Sequence, residues 1–325
     1  MTSTYLDAIH DALWEEMERM PHMMVLGEDI QEGGVFRATA GMLERFGPER
    51  VLDTPLAESS IVGISIGLAT NGCLPVAEIQ FADFAYPAFN QIISEASRWR
   101  YRSNSGWGCP IVVRAPFGAG IRGGMYHSQS IEALLAHVPG LKVVAPSTPY
   151  DAKGLLKAAI RDPDPVIYFE HKKAYRMLKD ELPDEDYVVE IGRAVQRRRG
   201  DDITVISYGL MAHECAEAAE ELAQDGIDAT VLDLRTLAPL DRDAILEAAS
   251  RTGKVLIVHE DNLSGGIGGE VAALIAEHVF DSLDAPIRRL AAPDVPAMPF
   301  NGGMEDFCVP SRERIAQAMR DLAAY

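Results

Sequence analysis

Two side chains in this sequence are of the types, and at the kinds of position, that could move protons. Glu58 opens ESSIVGISIGLA, a helical stretch with Gly63 and Gly67 on its surface. A glutamate in a first helical turn is ordinarily there for the helix dipole. The helix behind this one is apolar on nearly every face and studded with small residues, as expected where a helix packs closely against another chain. A carboxylate at its mouth is drawn into that interface, where burial and the helix N-terminus act on it in opposite directions. It could then share a proton with a ligand nitrogen. The second side chain is His127, behind the four glycines of FGAGIRGG. Gly118, Gly120 and Gly123 spell GxGxxG after the strand-like PIVVRA. A dinucleotide site would continue into an apolar-periodic helix with an acidic residue about 20 positions on. MYHSQS follows instead. A loop histidine bonded to Ser128 or a backbone carbonyl is the ordinary alternative. On the functional reading the glycines let the backbone pass close to a ligand and deliver an imidazole to it.

EIQFADFAYPAFNQI crowds Phe81, Phe84, Tyr86 and Phe89 between the end of a strand and the start of a helix. Core packing accounts for Phe89, Ile92 and Ile93. At the strand's carboxyl end, where open α/β sheets bind ligands, Gln80, Asp83 and Phe84 could line a pocket with one aromatic face for a flat ring. Glu28, in GEDI, ends an earlier strand and is a further candidate.

The elements that must position these residues alternate along the whole chain. Short β-branched runs, MMVLG, LPVAEIQ, PIVVRA, LKVVAP and PVIYFE, are separated by amphipathic segments. This is the pattern of an α/β fold with mostly parallel sheets flanked by helices. TYLDAIHDALWEEMERM places Leu6, Ile9, Leu13 and Met17 at helical spacing. In STPYDAKGLLKAAIRD, Ser147 or Thr148 can cap, Pro149 suits the first turn, and Leu155, Leu156 and Ile160 make a buried stripe. The acidic, proline-containing KDELPDEDY, residues 179–187, reads as a linker, after which DITVISYG, IDATVLDL, KVLIVHE and PIRRLA restart the pattern. The expected organisation is a first domain over 1–180, a linker over 181–200 and a second, smaller domain over 201–325.

Composition narrows the function classes. At 325 residues with 47% apolar and 24% charged side chains, the chain can bury two cores and is neither disordered nor collagen-like. Thirty basic against 49 acidic residues leave a net charge of −19, which disfavours nucleic acid and anionic membranes and favours a basic protein partner. The four cysteines lack CxxC spacing, so neither a zinc site nor a disulfide framework is indicated. The N-terminal helix is acidic, unlike a signal or transit peptide, and no apolar run reaches membrane-spanning length. A reducing, cytoplasmic location is expected.

Taken together, VLGED, RVLDTPLAE, PVAEIQFADF, YRS, YHSQSIEA, PGLKVVAPSTPYDAKGLLKAAIRDPDPVIYFE, LDLRTLAPLD and RTGKVLIVHE stand in one order from end to end. In that order they resemble the beta subunits of the thiamine-diphosphate-dependent decarboxylase component of 2-oxo acid dehydrogenase complexes. The resemblance implies a pyrimidine-binding domain followed by a transketolase C-terminal-like domain. It implies that Glu58 bonds a ring nitrogen of the cofactor's aminopyrimidine, with Phe84 stacked on the ring and Glu28, Leu56, Ala57 and Gln80 nearby. Phe81, Asp83 and His127 would face the substrate, His127 assisting acyl transfer to the lipoyl arm of the acyltransferase component. A structural potassium ion would be held through Ile111, Ala159, Ile160, Asp162 and Asp164. The family holds diphosphate and magnesium with a GDG motif, which this chain lacks. That implies an alpha subunit carrying that half, in a two-alpha two-beta heterotetramer, and an inactive isolated chain. The acidic surplus would suit docking of the acyltransferase's basic binding domain.

FADFAYPAFNQI, RYRS and EHKKAYR look closer to the branched-chain members, which implies 3-methyl-2-oxobutanoate and its homologues as substrates. Pyruvate and acetoin are the alternatives within the family. LSGGIGGE and AMPFNGGMEDF depart most from the family pattern and carry no assigned contact. Two readings stand outside the family: a hydride-transferring dehydrogenase using the GxGxxG, and a non-catalytic assembly subunit that would not need Glu58.

Overall fold

The computed structural model describes residues 2–325. Six strands form one parallel sheet in the first compact unit, which runs to Phe117 and resumes from Leu134 to Ile191. They are β1 Met23–Gly27, β2 Val51–Asp53, β3 Leu74–Glu78, β4 Val112–Phe117, β5 Lys142–Val144 and β6 Val166–His171, in the order β5-β6-β4-β3-β1-β2. Every residue of β4 and β6 is buried, as parallel strands covered on both faces require. Five of the six follow the β-branched runs; β2 is too short to show a period.

Helix α1, Tyr5–Arg19, starts on a capping box in which Thr4 Oγ1 accepts from Asp7 N–H and Asp7 accepts from Thr4 N–H. Its buried face is Tyr5, Ile9, Ala12, Leu13 and Met17; Leu6, expected in the stripe, is only half-buried. Helix α2, Glu58–Thr70, lies between β2 and β3 in the chain. Helix α3, Pro149–Ile160, is capped by Thr148, whose hydroxyl accepts from Asp151 N–H at 3.1 Å, and it packs along α1. Lys153 and Lys157 on α3 are nearly buried and donate to Glu15 of α1 at 2.6 and 2.7 Å.

Burial pushes the Glu15 carboxyl up, but the hydrogen bonds from Lys153 and Lys157 outweigh it, so it titrates below its ordinary 4.5. A depressed folded value means the pair's contribution is complete above 4.5 and is lost as the pH falls through the lower folded value. Glu15 is 42% exposed, so solvent screens the pair. Glu15→Gln is therefore expected to cost about 1 kcal/mol or less at neutral pH. The difference from the parent protein in a urea titration should shrink as the pH falls below 4.5. A difference that stays constant with pH would show that Glu15 acts through packing.

Inside the sheet, Arg114 on β4 is 1% exposed. It donates to Glu170 of β6 at 2.5 and 2.9 Å and to Glu78 of β3 at 2.7 Å, and Tyr175 Oη donates to Glu170 at 2.6 Å. One buried cation thus ties three neighbouring strands together.

The second unit comprises Gly118–Ala133 and the chain from Gly192 on. Its sheet contains β7 Val195–Arg198, β8 Ile203–Ser207, β9 Ala229–Asp233, β10 Val255–Asn262 and β11 Arg288–Ala292, in the order β11-β10-β8-β9-β7. All pairings are parallel except β9 with β7. Helix α4, Ile267–Val279, follows β10. Its entry, GGIGG, packs on the ring of buried His259: a Cβ at Gly266 or Gly268 would lie 2.6 Å from an imidazole atom.

The division of the chain is more intricate than a single linker over 181–200. Gly118–Ala133 is built into the second unit although it follows β4 of the first. Lys179–Glu181 pairs antiparallel with Thr2–Thr4, and Val195–Arg198 is an edge strand rather than linker. Its polar composition, VQRR, suits an exposed sheet edge and so hides the strand from hydrophobic patterning. Among the described residues no helix is long and apolar enough to cross a membrane.

Candidate active site

The first unit gathers its candidate residues at the carboxyl ends of β1, β2 and β3. Glu28 follows β1, and Glu58 is the first residue of α2, which the chain enters after β2. Gly27 permits the close approach of β1 to β3, since a Cβ there would lie 2.8 Å from the carbonyl oxygen of Glu78. Gln31 N–H donates to Asp53 at 2.8 Å and Gln80 Nε2 donates to Asp29 at 3.0 Å, joining the three strand ends.

Glu28 and Glu58 are each 8% exposed. Burial pushes the Glu28 carboxyl up, and the negative charges of Glu58 and Asp29 push it further. Glu28 Oε1 is buried and has no hydrogen-bond partner within the protein. A buried acceptor without a donor costs free energy until one arrives. Beside Glu58 at a helix N-terminus it suits a ligand carrying N–H donors. Leu56, 79% exposed, and half-buried Ala57 precede Glu58 and present apolar surface.

The aromatic cluster supplies ring faces. Phe81 packs edge-on against Phe84 at 5.5 Å and Phe36 at 5.4 Å, and Lys172 Nζ lies 5.7 Å from the Phe81 centroid. Phe84 is partly exposed and Asp83 is buried. The expected helix start is a succession of short irregular turns: 3-10 over Ala82–Ala88, π over Asn90–Glu95 and 3-10 over Ala96–Arg98. Pro87 within the first turn lacks the N–H that a regular helix needs. The register change also corrects the expected core: Ile92 is buried, but Phe89 and Ile93 remain half-exposed, with Phe89 against Tyr86 at 5.3 Å. Glu58, Glu28 and Gln80 with the Phe81–Phe84 rings therefore fit a flat, nitrogen-bearing ring such as an aminopyrimidine.

His127 belongs to the second unit, half-buried, at the end of a 3-10 turn over Gly124–Tyr126. No long helix starts there, which removes the geometry of a phosphate cradle. The glycines have steric reasons instead. Gly118, Gly120 and Gly124 have φ of 86°, 88° and 68°, the left-handed region that favours glycine. A Cβ at Gly123 would lie 2.7 Å from the Cβ of His127.

The residues expected around potassium form one bonded stretch of the first unit. Ile111 O accepts from Val166 N–H at 3.0 Å, and Ala159 O, in the last turn of α3 beside Ile160, accepts from Asp162 N–H at 3.3 Å. The side chains of Asp162 and Asp164 are engaged by Lys142 and Arg100. Carbonyls at a helix C-terminus carry partial negative charge and retain lone pairs, which suits a monovalent cation. Phe36 was not legible as a site neighbour, because it reaches the cluster by chain return without a local motif; Asp29 and Lys172 lie within GEDI and EHKKAYR, but spacing alone does not give their partners, Gln80 and the Phe81 ring.

The chain matches two family models, "Transketolase, pyrimidine binding domain" over residues 2–177 and "Transketolase, C-terminal domain" over 192–315. It is 61% identical to the 2-oxoisovalerate dehydrogenase subunit beta of Bacillus subtilis over 323 residues, covering 99% of each chain. It is 45% identical to the pyruvate dehydrogenase E1 component subunit beta of the same organism, again over 99% of each. Identity is 44% to the mitochondrial 2-oxoisovalerate dehydrogenase subunit beta 2 of Arabidopsis thaliana, covering 98% of this chain and 88% of the relative. Among solved structures, a chain described as "Split gene transketolase, inactive beta4 tetramer" superposes with a TM-score of 0.81 at 25% identity, covering 99% of this chain and 98% of that one.

Proposed function

Because the chain belongs to the family of beta subunits of thiamine-diphosphate-dependent 2-oxo acid dehydrogenases, we propose that it works with an alpha subunit to decarboxylate a branched-chain 2-oxo acid oxidatively. The acyl group passes to the lipoyl arm of the acyltransferase component. The observation that carries this reading is the buried pair Glu28 and Glu58, with its unpartnered oxygen, at the carboxyl ends of the strands that are also followed by the Phe81–Phe84 rings.

Thiamine diphosphate, when bound, supplies the electron sink that lets carbon dioxide leave a 2-oxo acid. Glu58 shares a proton with a ring nitrogen of the aminopyrimidine, a role suited to a carboxylate held between a helix N-terminus and a second carboxylate. Glu28 accepts at its bare oxygen, Phe84 offers a ring face, and Leu56, Ala57 and Gln80 stand near the ring. Phe81 and Asp83 border the substrate, whose branched side chain gains from apolar surface. His127 donates a proton or orients the lipoyl sulfur during acyl transfer.

Magnesium and the diphosphate are held mainly by the alpha subunit in a two-alpha two-beta assembly, consistent with the missing GDG motif. Potassium at the Ile111, Ala159, Ile160, Asp162 and Asp164 stretch would brace α3 against β4. The four cysteines are free thiols, in keeping with a reducing cytoplasm.

The test is carbon dioxide release from 3-methyl-2-oxobutanoate and from pyruvate by the complex assembled with its alpha subunit, with thiamine diphosphate and magnesium. Release from the branched acid should exceed that from pyruvate by at least about tenfold in kcat/KM, the discrimination that one or two methyl groups provide in an apolar pocket. The isolated chain should release none. Equal or faster release from pyruvate would overturn the branched-chain assignment. Release from neither acid would leave acetoin cleavage or an assembly role.

A further inference from the structure

We propose that Glu305, through Arg122 and the backbone of Gly120, is a positioning residue that holds the His127 loop in its working conformation. The proposal rests on the reading of His127 given above. Helix α5, Gly302–Cys308, lies far along the chain in the AMPFNGGMEDF segment, to which the sequence assigns no contact. Its Glu305 is fully buried. One carboxylate oxygen accepts from Gly120 N–H at 2.9 Å and the other from Arg122 Nη1 at 2.6 Å. Arg122 also donates to the carbonyl of Gly302 at 2.8 Å and pairs with Asp306 at 2.8 Å.

The loop pinned in this way carries strain that something must hold. Arg122 has a φ of 59°, unfavourable for a residue with a Cβ, between the left-handed glycines 120 and 124. Such conformations persist only where their surroundings over-determine them. The surroundings here are supplied by the same segment: a Cβ at Gly124 would lie 3.0 Å from the ring of Phe300. Met298 N–H donates to Gln129 at 3.2 Å, while Gly118 N–H closes the loop on Gln129 O at 3.1 Å. Past His127 the second anchor is buried Glu132, which accepts from Tyr208 Oη at 2.8 Å. His127 thus sits between two fastened points, and on the Glu305 side a charge-assisted contact fastens a strained backbone.

The experiment compares Glu305→Ala, Arg122→Ala, His127→Ala and the Glu305→Ala/His127→Ala double variant in the assembled complex. Two rates are read: decarboxylation with ferricyanide as electron acceptor, and acylation of the lipoyl domain. Hydrogen exchange of the 118–127 amides is followed by mass spectrometry. Glu305→Ala should slow lipoyl acylation about tenfold through misplacement of the imidazole, leave the ferricyanide rate within about twofold and speed loop exchange. On the His127→Ala background it should add nothing, the signature of two residues acting as one unit. Glu305→Gln, which keeps an acceptor for Gly120, should recover part of the loss.

Slow acylation in His127→Ala with full activity and unchanged exchange in Glu305→Ala would overturn the positioning role and leave the His127 reading intact. Additive losses in the double variant would do the same. Normal acylation in His127→Ala would overturn the His127 reading itself, and with it this proposal. If Glu305→Ala does not assemble, Arg122→Ala, whose side chain is 45% exposed, carries the same comparison.

Discussion

Glu58→Gln in the assembled enzyme lowers thiamine-diphosphate-dependent carbon dioxide release by on the order of a thousandfold, within the range of a positioned proton-transfer group, while the alpha subunit stays bound. The substitution keeps the shape of the side chain and its place at the first turn of α2. Its structural cost is small: it forfeits the favourable charge at a helix N-terminus, about 0.3–1 kcal/mol, and relieves the repulsion that Glu58 exerts on Glu28. Catalytic loss and stability loss therefore separate widely. An amide can accept or donate at the ring nitrogen but cannot hold and release the proton there, and that exchange is the role proposed for the buried carboxylate. The measurements are carbon dioxide release and co-purification of the partner on one preparation. Undiminished release, with the complex intact, would sink the proton-sharing role and favour a non-catalytic assembly subunit. In the variant, Glu28 should titrate closer to its ordinary value, because one of the charges raising it is gone.

Arg114→Met is expected to destabilise the first unit by about 3–5 kcal/mol, the cost of removing one partner from a buried ionic cluster. Arg114 is the cation between Glu78 and Glu170, which are 4% and 0% exposed. Burial pushes the Glu78 carboxyl up, and Arg114 pulls it back. Without the guanidinium, two carboxylates face each other in the sheet with Tyr175 Oη as a remaining donor to Glu170. Replacing Arg114, Glu78 and Glu170 together by apolar residues of similar volume should recover most of the loss, since well-packed neutral substitutes for such clusters are often neutral or stabilising. Denaturant unfolding of the single and triple variants measures this. A single-variant loss below about 1 kcal/mol would mean that water reaches the cluster and screens it. Glu78 stands two residues before Gln80, so the single variant should also lose cofactor-dependent activity, and recovery of stability without recovery of activity in the triple variant would show the network aligning β3 for the site.

Much of the molecule was written locally. A parallel strand covered on both faces needs a nearly continuous apolar run, and MMVLG, PIVVRA and PVIYFE read as strands for that reason despite the charged Arg114 and Glu170. Thr148 and Pro149 announced α3, and Glu58 stood out because a carboxylate precedes a helix apolar on nearly every side. In each case the burial pattern of an element is carried by its own residues, so spacing alone discloses it. The irregular turns over Ala82–Arg98 and the polar edge strand Val195–Arg198 escaped because neither imposes a period on the sequence. The partners of charged groups were hidden for another reason. Arg114 meets Glu78 and Glu170 across 36 and 56 residues, and Gly120 meets Glu305 across 185. Nothing near Arg114 says that its charge is balanced, and nothing in FGAGIRGG says which part of the chain holds it open. Those pairings exist because the folded chain returns to itself, and they decide which carboxylates are buried and paired, which oxygen of Glu28 is left without a donor, and which distant segment meets the glycine loop.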